Sequence, residues 1–134
     1  MKNNIRKSIF KKILLVFVLF VIPTTYYWYE KVFAISEFQR VGQVKFPMGV
    51  YVESWEETGF TLHGQFKIEE NQIEQFKADN QLQPAVEGAK TIYVLNRCYN
   101  DRHNQIDLKF DTTTLIADIK LETTDFAGDP ICDL

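Results

Sequence analysis

Residues 105–123 read Gln-Ile-Asp-Leu-Lys-Phe-Asp-Thr-Thr-Thr-Leu-Ile-Ala-Asp-Ile-Lys-Leu-Glu-Thr. Ile106, Leu108 and Phe110 alternate with Asp107, Lys109 and Asp111. After three threonines, Leu115, Ala117, Ile119 and Leu121 alternate with Ile116, Asp118, Lys120 and Glu122. Period-two alternation is the mark of a strand with one dry and one wet face, and a short polar joint between two such runs predicts a hairpin. One-sided burial of this kind belongs to antiparallel sheets.

Upstream, Thr91–Cys98 reads as a further strand, with Pro84 and Gly88 marking the connection before it. Glu69 to about Asn80 changes period: Ile73, Phe76 and Lys77 fall at helical spacing, with acids at the start and Lys77 near the end. Val50, Val52 and Ser54 alternate with Tyr51, Glu53 and Trp55, and Phe60, Leu62, Gly64, Phe66 and Ile68 with Thr61, His63, Gln65 and Lys67. Glu56–Gly59 supplies a longer hairpin loop between these two runs. The reading is an α+β domain with about five antiparallel strands, in the order ββαβββ, and one packed helix.

The N-terminus is of another kind. Lys2, Arg6, Lys7, Lys11 and Lys12 precede an uncharged run, Ile13–Ile22, followed by Pro23-Thr-Thr25, the aromatics Tyr26-Tyr-Trp-Tyr29 and the first acid, Glu30. As a helix, Ile13–Tyr29 spans about 26 Å, close to the roughly 30 Å hydrocarbon core of a bilayer. Lys11 and Lys12 can snorkel, and the aromatics suit headgroup depth. A secretory signal peptide is the competing reading, but the best cleavage site, Val32-Phe33-Ala34, lies far beyond the apolar core and behind bulky rings. The expected organisation is a basic cytoplasmic tail (1–12), a transmembrane signal anchor (13–29), an amphipathic helical stalk (30–43, carrying Phe33, Phe38 and Val41) and an extracytoplasmic domain (44–134). The basic flank places the N-terminus in the cytoplasm of a bacterial-type inner or cell membrane and the domain outside.

Charge divides the same way. Residues 1–29 hold five bases and no acid; residues 30–134 hold ten bases against eighteen acids. An acidic body without clustered Lys and Arg argues against nucleic acid, which leaves the lipid bilayer and a protein as the expected partners.

No catalytic signature is present: no GxSxG, HExxH, P-loop, GxGxxG or EF-hand loop. His63 reads as a solvated strand residue and His103 as part of the polar stretch Cys98–Asn104 between strands. Carboxylates gather at Glu53, Glu56 and Glu57 and recur at Asp125, Asp129 and Asp133, as turn and surface acids do. No cofactor or metal is expected. The candidate binding residues are Tyr51, Glu53, Trp55 and Glu56, with Tyr51 and Trp55 placed on one strand face, where core or edge packing is the commoner role of such rings and an aromatic contact patch the other, and Arg102 and His103 in the later loop.

No named family is suggested by these residues; the general look is of small anchored envelope proteins of bacteria. The expected function is a non-catalytic protein-interaction module, such as an inhibitor, an immunity-type protein or an accessory protein. The alternatives are a subunit that contacts a membrane complex through its helix, which lacks small-xxx-small spacing, and a small envelope hydrolase.

The chain has two cysteines, Cys98 and Cys132, both on the side expected to be exported. An even count in an oxidising compartment reads as a disulfide, and closing a loop of about 35 residues is worth on the order of 3–4 kcal/mol. Unreduced protein should therefore take up no thiol-alkylating reagent, and reduced protein should take up two equivalents. Alkylation before reduction would exclude the bond.

Overall fold

A computed structural model describes residues 2–99 and 103–124. The chain forms two compact units, residues 1–33 and 34–134, and the boundary falls inside a helix.

In the first unit, α1 (Lys2–Val16) runs into a π-helical turn (Phe17–Val21) and then into α2 (Ile22–Gly42). Pro23 offers no N–H, and its ring crowds the carbonyl four residues back. The wider turn directly precedes it, with the Ile22 N–H donating to Phe17 O, one residue further than in an α-helix. The Thr24 and Thr25 hydroxyls donate to Phe20 O (2.6 Å) and Val21 O (2.8 Å), so neither is left bare among apolar neighbours. Every side chain from Asn3 to Glu30 is exposed. One continuous helical stretch, Asn3–Gly42, is long and apolar enough to cross a membrane.

The second unit is α+β. After the end of α2 come β1 (Tyr51–Thr58), β2 (Thr61–Lys67), a 3-10 turn (Glu70–Gln72), α3 (Ile73–Asp79), β3 (Gln83–Glu87), β4 (Lys90–Tyr99), β5 (Asn104–Asp111) and β6 (Ile116–Thr123). Among the described residues the six strands make one antiparallel sheet in the order β1-β2-β6-β5-β4-β3.

Three expectations change here. A sixth strand, β3, stands where Pro84 suggested only a connection. It lies at the sheet edge, where only one side of the strand needs to offer hydrogen bonds, so a residue without an N–H is tolerated. The first hairpin has no long loop: β1 continues through Glu56–Thr58, and Gly59 and Phe60 alone make the turn. Gly59 supplies the positive φ (+59°) that a two-residue hairpin requires there. The expected stalk is also shorter, because Ala34, Phe38 and Gly42 are buried in the second unit.

The alternating residues do what their pattern dictates. Phe66, Ile106, Leu108, Phe110, Ala117, Ile119 and Leu121 form the dry face, with Ala34 and Phe38 of α2 and Phe76 of α3 in the same core. Phe38 meets Phe66 edge-on (4.9 Å between centroids), Phe46 lies 4.6 Å from Phe66, and Phe76 meets Phe110 edge-on at 5.2 Å. Gly64 makes this packing possible. A Cβ there would stand 2.7 Å from the Phe66 ring and 2.9 Å from Phe38 Cζ. The buried Asn80 then ties the segment after α2 to the end of α3. Its side chain accepts from Lys45 N (2.8 Å) and donates to Lys45 O and Phe76 O (2.9 Å each).

Two measurements test this description. Gly64→Ala should cost about 1–3 kcal/mol in denaturant unfolding, because the added methyl must displace two packed rings; an unchanged midpoint would show the contact to be loose. The second concerns Asp111, which accepts from the Lys90 ammonium and from Thr113 N (2.8 Å). These donors, the ammonium first, hold its carboxyl at about 2 against an ordinary 3.8. A depressed folded-state value contributes stability above the ordinary value, and that contribution is lost as pH falls through about 4 towards about 2. Asp111→Asn should remove this part of the acid sensitivity, as read from melting temperature against pH.

Candidate functional site

The sequence reading places Tyr51 and Trp55 together, and the register separates them. Val52 lies opposite Phe66, but Ser54, two residues on, lies opposite Gln65, so Glu53 is the extra residue of a β-bulge. A one-residue slip moves every later side chain to the other face. Tyr51, opposite Lys67, therefore stays on the wet face, while Trp55, opposite Gly64, turns inward and packs half-buried against the core. The aromatic patch does not exist as such. Glu53 is exposed at the bulge.

Beyond the bulge, Glu56 lies on the wet face opposite His63. The His63 imidazole sits between two carboxylates: Nε2 is 2.6 Å from Asp118 Oδ1 and Nδ1 is 3.6 Å from Glu56 Oε1. Gln65 Nε2 donates to the other Asp118 oxygen at 3.4 Å. Further across, Lys120 Nζ reaches Glu122 Oε1 at 2.5 Å, and Asp107 lies opposite Lys120 on β5. The Glu122 hydrogen bond, and then its charge, hold the Lys120 ammonium above the ordinary lysine value, with Asp107 adding to the effect. The wet face is thus a ladder of alternating charge over β1, β2, β6 and β5, with Ile92 of β4 as its buried apolar residue. Both His63 nitrogens face carboxylates, which leaves neither directed at a hydroxyl nucleophile. Among the described residues, no group of three His, Cys, Asp or Glu side chains is placed to hold a metal ion.

His103 lies three strands away in the sheet from β1, yet at the same end as the first hairpin. Two consecutive threonines make the connection. Thr123 donates to Phe60 O through its N–H (2.9 Å) and its hydroxyl (3.2 Å). Thr124 N donates to His103 O (2.8 Å), and its hydroxyl lies 2.8 Å from His103 Nδ1. One end of the sheet therefore carries Glu56, Glu57, Phe60 and His103, whereas Tyr51 and Glu53 lie towards the other end of β1. Arg102 and Cys132 lie outside the described residues, as do Asp125, Asp129 and Asp133; Cys98 is half-buried on β4.

Phe60 is the residue that the sequence reading misplaces. Alternation puts it on the dry face of β2, but it occupies the hairpin tip with 68% of its surface exposed. The signal was Gly59: a glycine at the first turn position makes the next residue a turn residue as well. An exposed aromatic ring beside Glu56 and Glu57 has the composition of a protein contact, with an apolar centre and a charged rim.

These features define a small α+β sheet domain that follows an apolar N-terminal helix. The chain matches no protein-family model, no curated protein and no solved structure.

Proposed function

We propose that this chain is a single-pass membrane protein whose domain is a non-catalytic protein-interaction module outside the cytoplasm. One observation carries the first half. A helix that is apolar on every side must be covered by protein or by lipid, and from Asn3 to Glu30 no side chain is covered by protein. The back-bonded hydroxyls of Thr24 and Thr25 suit a lipid environment, where each polar group needs an internal partner. Five bases before the apolar run favour a cytoplasmic N-terminus.

Retention of the helix is the better reading over cleavage. A cut after Ala34, the best site in the sequence, would fall inside α2 and remove a fully buried core residue four positions ahead of Phe38. Support for the second half comes from the hairpin tip. Phe60 is the apolar anchor, Glu56 and Glu57 flank it, and the acidic balance of residues 30–134 suits a partner with a basic contact surface.

A photo-crosslinking phenylalanine analogue placed at position 60 of the membrane-bound chain should capture a discrete protein, whereas the same analogue at Lys109 should not. Capture from positions 13–29 but not from position 60 would favour the membrane-complex subunit. Alkaline carbonate should leave the chain in the membrane with residues 1–34 intact; a soluble form beginning near Ile35 would refute anchoring.

A further inference from the structure

On the helix-covered side of the sheet, a cleft of about 220 Å³ opens between the ends of α2 and α3 and strand β4. Gln43, Lys45, Asp79, Asn80, Gln81, Leu95 and Arg97 line it. Two cations thus face one small volume in an acidic domain, and among the described residues neither side chain has an ion-pair partner. Arg97 Nε is buried without a hydrogen-bond partner, and a buried donor left unmade is costly.

Both cations lie near helix C-termini, where a positive charge is favoured in any case. A purely structural Arg97, however, would donate to the terminal carbonyls, and several of these already accept from other groups. Phe76 O accepts from Asn80, Lys77 O from Leu82 N, Ala78 O from Gln81 N, and Val41 O from the Tyr99 hydroxyl. Arg97 therefore lines the cleft with its Nε unmet among the described residues.

The backbone adds an independent observation. Gln43 and Gln81 are the residues just past the two helix ends, and both are held at positive φ (+54° and +55°). Glycine is the residue this position favours, because a Cβ is strained there. The chain places glutamine at both, and both residues line the same cleft. Leu115 shares this conformation in the β5–β6 turn, but Gln43 and Gln81 alone bring it to one volume.

We propose that this cleft binds an amino-acid-sized zwitterion. The planar fork of Arg97 matches a carboxylate, with Lys45 adding charge. Asp79 on the rim suits an ammonium group and disfavours a doubly charged phosphate. The carboxamides of Gln43 and Gln81 offer both donors and acceptors. The volume lies below the 300 Å³ or so of drug-sized pockets, so the ligand is small.

The full chain in detergent micelles, titrated calorimetrically with each standard amino acid, acetate and inorganic phosphate, tests this. At least one amino acid should bind saturably with a Kd of about a millimolar or tighter. Arg97→Gln should weaken it by about tenfold or more, the difference between a paired and an unpaired carboxylate. Lys45→Gln, at an exposed position that leaves folding intact, should weaken it by several-fold, and Asp79→Asn should weaken the amino acid but not acetate. Gln43→Gly and Gln81→Gly should raise the melting temperature while lowering affinity, a combination that a structural role would not produce. Saturable binding of no amino acid, equal binding of acetate, tighter binding of phosphate, or affinity indifferent to Lys45→Gln would each overturn the proposal.

Discussion

The second unit is organised around one close approach: the ring of Phe38 lies over a strand position that has no side chain. Gly64 is costly in a strand, since it gives up both propensity and packing. Its absent Cβ lets the end of α2 descend onto the sheet, and any side chain there would overlap Phe38 and Phe66. From that contact a chain of rings runs Phe38–Phe66–Phe46–Phe76–Phe110 and joins α2, β2, the segment before β1, α3 and β5. Edge-on and offset rings gain from their quadrupoles as well as from burial, so the helices are held at defined positions and not merely at defined depth. Asn80 completes the arrangement where apolar contact cannot, by satisfying both backbone groups of Lys45.

The sheet then has one face for stability and one for charge. Its edges are protected in ways that sheets commonly use against adding further strands: β1 carries a bulge at Glu53, and β3 carries Pro84. On the wet face, opposite charges lie side by side, as in Lys120 with Glu122 on one strand and Asp107 across from Lys120, and the His63 ring lies between Asp118 and Glu56. Such exposed pairs are worth little individually, so this surface contributes solubility and register more than stability. The residues that depart from this order are the informative ones: Phe60 exposed at a turn, and Arg97 with Lys45, neither ion-paired among the described residues, beside two strained glutamines. Local rules fail most often where a protein keeps a site.

The N-terminal unit obeys a different solvent. Large side chains from Ile5 to Phe33 stand exposed in a number that no water-facing helix carries. The helical stretch nonetheless continues as far as Gly42, and its last two turns change character, with Ala34 and Phe38 buried and Glu37 paired to Arg40. The unit boundary at Ala34 marks where the side chains of α2 exchange exposure for the core.

What the sequence determined alone is whatever repeats locally. Period two located five of the strands, helical spacing located α3, and an uncharged run behind five bases marked the N-terminal helix, because each signal is a response of neighbouring residues to one side that is dry and one that is wet. Cues that punctuate the pattern were harder to read: Pro84 argued against a strand that is permitted because it is an edge, and Gly59 shortened a turn and carried Phe60 out of the core. The remainder was decided only by tertiary structure. The slip at Glu53 that parts Tyr51 from Trp55, the threonines that bring Phe60 near His103, and the meeting of Gln43, Lys45, Gln81 and Arg97 all depend on partners tens of residues away. Periodicity records which side of an element is buried; it holds no record of which distant residues bury it.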